Sequence, residues 1–155
     1  MLTEQERHEI DEEVAAVRGH ARAAVVEALK VVQRRRGWVS DDDLRDVAAC
    51  LGMTPAEVDA VATFYNKIFR RRVGRHVLLI CDSVSCWIVG YHALLEHLRA
   101  RWGLELGATT ADDRFTLLPV ACLGLCEQAP AMLLDGELYG NLTPARLDAI
   151  LATHE

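Results

Sequence analysis

The chain has 155 residues, 51% of them apolar, and a formal charge of −6. This is enough for one compact domain, or a small domain with a helical appendage, and it excludes wholesale disorder. No apolar run reaches the roughly 18–20 residues of a membrane span, and the densely charged stretch Met1 to Glu13 reads as neither a signal nor a transit peptide.

The first half reads as helices with clear punctuation. Ile10, Val14 and Val17 share one helical face, and Gly19 follows as a stop. Val25, Val26, Leu29 and Val32 predict a second helix that ends at Arg34-Arg35-Arg36-Gly37, with cations in the last turn and glycine beyond it. Ser40 with Asp41, Asp42 and Asp43 offers an N-cap, and Leu44, Val47, Ala48 and Leu51 supply the buried stripe up to Gly52. Thr54-Pro55-Ala56-Glu57 is a capping box with proline at the first helical position. A four-helix unit over 1–72 is expected, ending near Phe64-Tyr65.

From Val73 the period changes, so a second domain is expected over 73–155. Val77-Leu78-Leu79-Ile80 is a continuous apolar run, as in a strand covered on both faces. A helix is predicted from Trp87 to Trp102 on the spacing of Ile88, Tyr91, Leu94, Leu95 and Leu98, and a strand over Phe115 to Val120. Met132-Leu133-Leu134, Asp135-Gly136 and Leu138-Tyr139 form a hairpin pattern. Thr143-Pro144 caps a last helix through Leu147, Ile150 and Leu151. Strand, helix, strand, hairpin, helix predicts a thioredoxin-like α/β sandwich behind an N-terminal helical bundle.

Charge separates the two parts. Through His76 there are 13 Lys/Arg and 13 Asp/Glu; beyond it stand four Arg and 10 Asp/Glu, so the whole net charge lies in the second half. A nucleic-acid binder carries a basic working face, and no nucleic-acid partner is expected.

Chemistry concentrates in that acidic half. Cys81-Asp-Ser-Val-Ser-Cys86 and Cys122-Leu-Gly-Leu-Cys126 each follow a predicted strand. A strand–helix–strand unit places its strands parallel, and adjacent strands end roughly 5 Å apart, so the two loops converge although 35 residues separate Cys86 from Cys122. Cys86 opens a helix, where free amides favour a thiolate, and Gly124 gives the second loop freedom to wrap. Absence of an export signal points to a reducing cytoplasm, which disfavours two disulfides. The spacing is unusual for a four-cysteine zinc site, and a thiol–disulfide oxidoreductase uses one C-x-x-C at a helix start. Four thiolates in two pairs suit a [2Fe–2S] cluster best, each iron taking one pair. Acidic surroundings oppose further negative charge, so low potential is expected.

Gly37-Trp38-Val39-Ser40, Leu51 to Val58, Ala62-Thr63-Phe64-Tyr65 and Gly74 to Val77 bear a further likeness, as do Cys81 to Cys86, Gly90-Tyr91, Arg114 to Leu117, Cys122 to Cys126, Ala129-Pro130 and Leu142-Thr143-Pro144. Together they resemble the small thioredoxin-like [2Fe–2S] subunit, NuoE type, of the NADH dehydrogenase module of bacterial respiratory complex I. The resemblance spans roughly residues 20–152. It implies that Cys81, Cys86, Cys122 and Cys126 are the cluster ligands, and that FMN and NADH are bound by a larger neighbouring subunit that exchanges single electrons with the cluster. It implies other peripheral-arm subunits as partners, no catalytic site of its own, no membrane insertion, and a place on the cytoplasmic side of the inner membrane through the complex. Similar subunits serve soluble NAD-dependent formate dehydrogenases and hydrogenases, which stay open as parents. A zinc-stabilised adaptor is the rival of a different class. One departure is that many relatives have Glu immediately before the first cysteine of the second pair, where Val120-Ala121 stand here.

Other residues tempt. Cys50 reads as a small core residue. His92 and His97 lie five apart, off one another's helical face, and read as surface groups. Lys67, Arg70, Arg71, Arg72 and Arg75 read as a solvated linker, or as a docking strip for an acidic surface. Phe64 and Tyr65 lean towards covering a partner.

Overall fold

Three capping boxes start three of the helices of the N-terminal unit in the computed structural model, which describes residues 1–154. Thr3 with Glu6 opens α1 (Glu4–Ala16), Ser40 with Asp43 opens α3 (Asp41–Leu51), and Thr54 with Glu57 opens α4 (Pro55–Phe64). Each box satisfies amides that a helix start leaves unpaired, and such a cap stabilises by about 1 kcal/mol. α2 (Ala21–Arg36) begins without a side-chain cap and ends on Gly37, whose φ of 81° is the left-handed stop expected there. α1 begins six residues ahead of Ile10, because Thr3 and Glu6 cap it while its apolar stripe is sparse.

The chain divides into two compact units between Arg72 and Val73. The core of the first joins Ile10 of α1, Val25, Leu29 and Val32 of α2, Val47 of α3 and Val58 of α4. Arg36, at the C-terminal end of α2, binds Glu6 at 2.6 Å and also Asp43, so one guanidinium joins the capping boxes of α1 and α3. Burial would raise the Glu6 carboxyl, but the Thr3 amide and Arg36 hold it below the usual range. Arg70 bonds the Val39 carbonyl, Asp41 at 2.6 Å and Asp59 at 2.9 Å. It therefore fastens the chain back onto α3 and α4 rather than serving a solvated strip.

The second unit is a four-stranded mixed sheet in the order β2-β1-β3-β4. β1 (His76–Cys81) runs parallel to β2 (Phe115–Val120) and antiparallel to β3 (Met132–Leu134), which pairs with β4 (Glu137–Tyr139). The turn between β3 and β4 has positive φ at both Asp135 and Gly136, the sense that matches strand twist. Alternation sorts β1 between two faces. Leu78 and Ile80 pack with Leu94 and Leu98 of α6 (His92–Trp102) and Leu147 and Leu151 of α7 (Pro144–Ala152). Leu79 and Cys81 face the other way, with Cys86, Val120, Ala131 and Leu133.

The expected helix from Trp87 to Trp102 is broken. A single turn, α5 (Val84–Cys86), leads into a π-helical stretch, Trp87–Tyr91, and regular α-helix resumes at His92. Gly90 there has φ 149° and ψ 13°, outside the helical region. The break shifts the helical phase, so Ile88, expected on the buried stripe, is 73% exposed. Among the described residues, no single helix is long and apolar enough to cross a membrane.

Candidate metal centre

Cys81 closes β1 opposite Val120 of β2, and its amide donates to the Ala131 carbonyl at 3.1 Å beside β3. The next amide, Asp82, donates to the Val120 carbonyl at 3.0 Å. Both neighbouring strands therefore hold this thiol, and it is buried. α5 returns the chain so that Cys86 is buried on the same sheet face, hydrogen-bonded to Cys81. Burial pushes the Cys86 thiol up to about 11, helped by that hydrogen bond and by the charges of Cys81 and Cys126, while a backbone bond from Ala131 works in the opposite sense. The helix start favours a thiolate at Cys86, and desolvation opposes it. Three residues of helix have little dipole to offer, and desolvation wins. Any ion that binds here must displace a proton from sulfur.

The second pair lies in the open. Cys122 and Cys126 are both exposed. Gly124, with φ 73°, turns its amide back to donate to Cys122 Sγ at 3.4 Å, a donor of the kind that stabilises thiolate and lowers cluster charge density. Cys126 begins a 3-10 turn through Gln128. Cys86 therefore bonds Cys81 and feels the charge of Cys126, which shares its loop with Cys122. Among the described residues, no three His, Cys, Asp or Glu side chains form a preassembled cage.

The donors nevertheless fit a thiolate-held cluster. Two thiols are buried at one strand end and two are exposed just past its parallel neighbour, with the Gly124 and Ala131 amides directed at sulfur. Val120-Ala121 is the buried end of β2 followed by an exposed alanine.

A rim that the periodicity does not reveal surrounds the first loop. Val84, Trp87, Ile88 and Val89 are 68%, 54%, 73% and 59% exposed. The signal is present in the sequence, since Trp87-Ile88-Val89 are consecutive apolar residues ahead of a glycine and leave no polar face. The tempting groups elsewhere have other employment. Cys50 is half-buried against the bundle core and accepts from Arg7 at 3.5 Å. His97 and Trp102 both bond Asp148, at 2.8 Å each, tying α6 to α7. His92 lies edge-on to Trp87 and Tyr91. Phe64 and Tyr65 form an edge-to-face pair and are 77% and 46% exposed.

A mixed sheet with one parallel pair, helices on one face and cysteines at the strand ends on the other, describes a class of small redox carriers. The chain belongs to the thioredoxin-like [2Fe-2S] ferredoxin family, whose model matches residues 10–155. It is similar to the E subunit of the NADH-quinone oxidoreductase of Pseudomonas aeruginosa, 43% identical over 154 residues covering 99% of this chain and 92% of the relative. The protein of the same name from Escherichia coli K12 is 46% identical over 134 residues, covering 86% and 81%. Among solved structures, an NAD+-reducing [NiFe]-hydrogenase in the air-oxidized state superposes with a TM-score of 0.65 at 30% identity. That match covers 85% of this chain but spans only 22% of the hydrogenase chain.

Proposed function

We propose that the chain is the electron-transfer subunit of an NADH:quinone oxidoreductase, holding a [2Fe–2S] cluster on Cys81, Cys86, Cys122 and Cys126. The observation that carries the reading is the register of β1 against β2, which sets Cys81 opposite Val120, two residues before Cys122. Near-complete coverage of the NADH-quinone oxidoreductase relatives at 43–46% identity supports the parent complex.

The bound cluster supplies one-electron uptake and release. The chain's own residues do the rest. Cys81 and Cys86 would hold one iron in a dry setting, and Cys122 with Cys126 would hold the other near the surface. The amide of Gly124 donates towards sulfur. The acidic second half, with 10 carboxylates against four arginines, opposes added negative charge and favours a low potential. No nucleophile–base pair is part of this reading; the chemistry with NADH belongs to a partner subunit that binds FMN.

The exposed rim of Val84, Trp87, Ile88 and Val89 is the surface suited to that partner, because it borders the cysteines and carries no charge to desolvate. Other peripheral-arm subunits complete the assembly, which places the chain on the cytoplasmic side of the membrane, attached through its partners. The hydrogenase likeness supports a second parent, an NAD-linked hydrogenase, but at 30% identity and over a minor part of that chain it is the weaker claim.

The test is anaerobic purification of the full chain with iron and sulfide analysis. About two iron and two sulfide per chain, with a visible spectrum bleached by dithionite, is the expected result. A colourless protein with one zinc per chain refutes the reading in favour of an adaptor.

A further inference from the structure

Gly90 breaks the helix that carries Cys86, and it does so against the exit of the other cysteine loop. Its φ of 149° lies where L-residues rarely go. A methyl group added there would stand 3.5 Å from Cγ of Pro130, so that ring is the neighbour that the side-chain direction of Gly90 faces. Pro130 is itself held, since its carbonyl accepts the Leu142 amide at 3.0 Å and the Gln128 carbonyl accepts the Asn141 amide at 2.5 Å. The residue after it, Ala131, accepts from the Cys81 amide at 3.1 Å and bonds Cys86 through its backbone. A short path of neighbours therefore runs from Gly90 through Pro130 and Ala131 to Cys81 and Cys86, while Cys126 lies four residues before Pro130 on the same loop.

We propose that Gly90 is a positioning residue for the cluster: its kink seats the Cys86 turn on Pro130 and so sets the geometry between the two cysteine pairs. The inference rests on the ligand assignment proposed above. Gly90 touches no iron; it acts by fixing where Cys86 sits relative to Cys126. A side chain at this position forces φ towards negative values, which swings the π-helical stretch away from Pro130 and carries Cys86 with it. Supports of this kind behind metal ligands commonly change retention by roughly 10–100-fold.

The experiment compares the reconstituted full-length chain with Gly90→Ala and with Gly103→Ala. Gly103 is a fair control because it also has positive φ, 60°, ends α6 and has nothing within 4 Å of an added methyl group. Far-UV circular dichroism confirms folding, reduced-state EPR reports cluster geometry, and loss of colour under a chelator reports retention. Gly90→Ala is expected to shift the g-values and lose its cluster about tenfold faster, whereas Gly103→Ala loses thermal stability but keeps the wild-type signal and rate. If Gly90→Ala does not fold, Gly90→Asn, which tolerates positive φ better, takes its place with the same expected shift. A folded Gly90 variant with wild-type g-values and retention overturns the inference alone, as does an equal change in Gly103→Ala. A wild-type chain that takes up no cluster overturns the ligand assignment and this inference together.

Discussion

Cys81 stands level with Val120 across a parallel strand pair, and that pairing brings together two loops whose cysteines, Cys86 and Cys122, have 35 residues between them. The thiol of Cys81 and the backbone that leads to Cys122 leave the sheet side by side. Replacing any of Cys81, Cys86, Cys122 or Cys126 by Ala is therefore expected to abolish the EPR signal of the reduced cluster. Cys50→Ala leaves it intact, because Cys50 belongs to the helical unit and contacts Arg7. A folded Cys50→Ala chain without signal would contradict the assignment.

The apolar rim makes a separate claim about association. Ile88→Asp places a charge on a side chain that is 73% exposed and has no core role. The isolated chain should keep its stability and its cluster spectrum, whereas affinity for the proposed flavin-bearing subunit should fall by at least about tenfold, the cost of desolvating an unpaired charge at an interface. Co-purification from cells expressing both subunits, followed by titration calorimetry, measures it. Undiminished binding would move the interface elsewhere.

In the helical unit, Arg36 serves Glu6 and Asp43, whose side chains are nearly inaccessible. Arg36→Met removes the charge shared by the two capping boxes and strands both carboxylates. The expected loss is about 3 kcal/mol, the low end for a broken buried pair because the guanidinium is itself partly open to water. Urea unfolding of the variant checks the value. A loss below about 0.5 kcal/mol, the scale of an exposed pair, would mean that the carboxylates find water instead.

Glu57 gives the pH dependence a sign. Hydrogen bonds from the Thr54 amide and hydroxyl and from Arg22 hold its carboxyl at about 2, below the ordinary 4.5. A depressed folded value contributes stability that is fully present above pH 4.5 and is lost as pH falls towards 2. Glu57→Gln keeps a capping side chain without the charge, so the variant should be less stable than wild type at pH 7, with the difference closing between pH 4.5 and 2. A difference that persists unchanged at the acid end of that window assigns the effect to packing, not ionisation.

Much of the fold is legible in short windows of sequence. Ser40-Asp43 and Thr54-Glu57 announce helix starts because capping is local chemistry, decided within about four residues. Gly37 and Gly52 announce stops for the same reason, and Asp135-Gly136 declares its hairpin. The run Val77 to Ile80 reads as a two-faced strand because consecutive apolar residues in so short an element must bury both sides. The helix after Cys86 reads as continuous and is not. Its apolar spacing suits about 3.6 residues per turn, and the break at Gly90 faces Pro130, which is distant in the chain and absent from any local window.

The sequence by itself determined the elements, the two cysteine pairs and their likeness to a family, since these depend on residue type and spacing over short windows. The tertiary structure alone decided which thiols are dry. Cys81 and Cys86 lie within the sheet's second face and Cys122 and Cys126 outside it, although all four look alike in the chain. Burial is a sum over neighbours drawn from β1, β2, β3 and α5, and no local pattern contains that sum. For the same reason the helix start that favours a Cys86 thiolate in the sequence meets an opposing burial in the fold. The helix supplies a weak local field, and the tertiary surroundings impose a larger desolvation penalty.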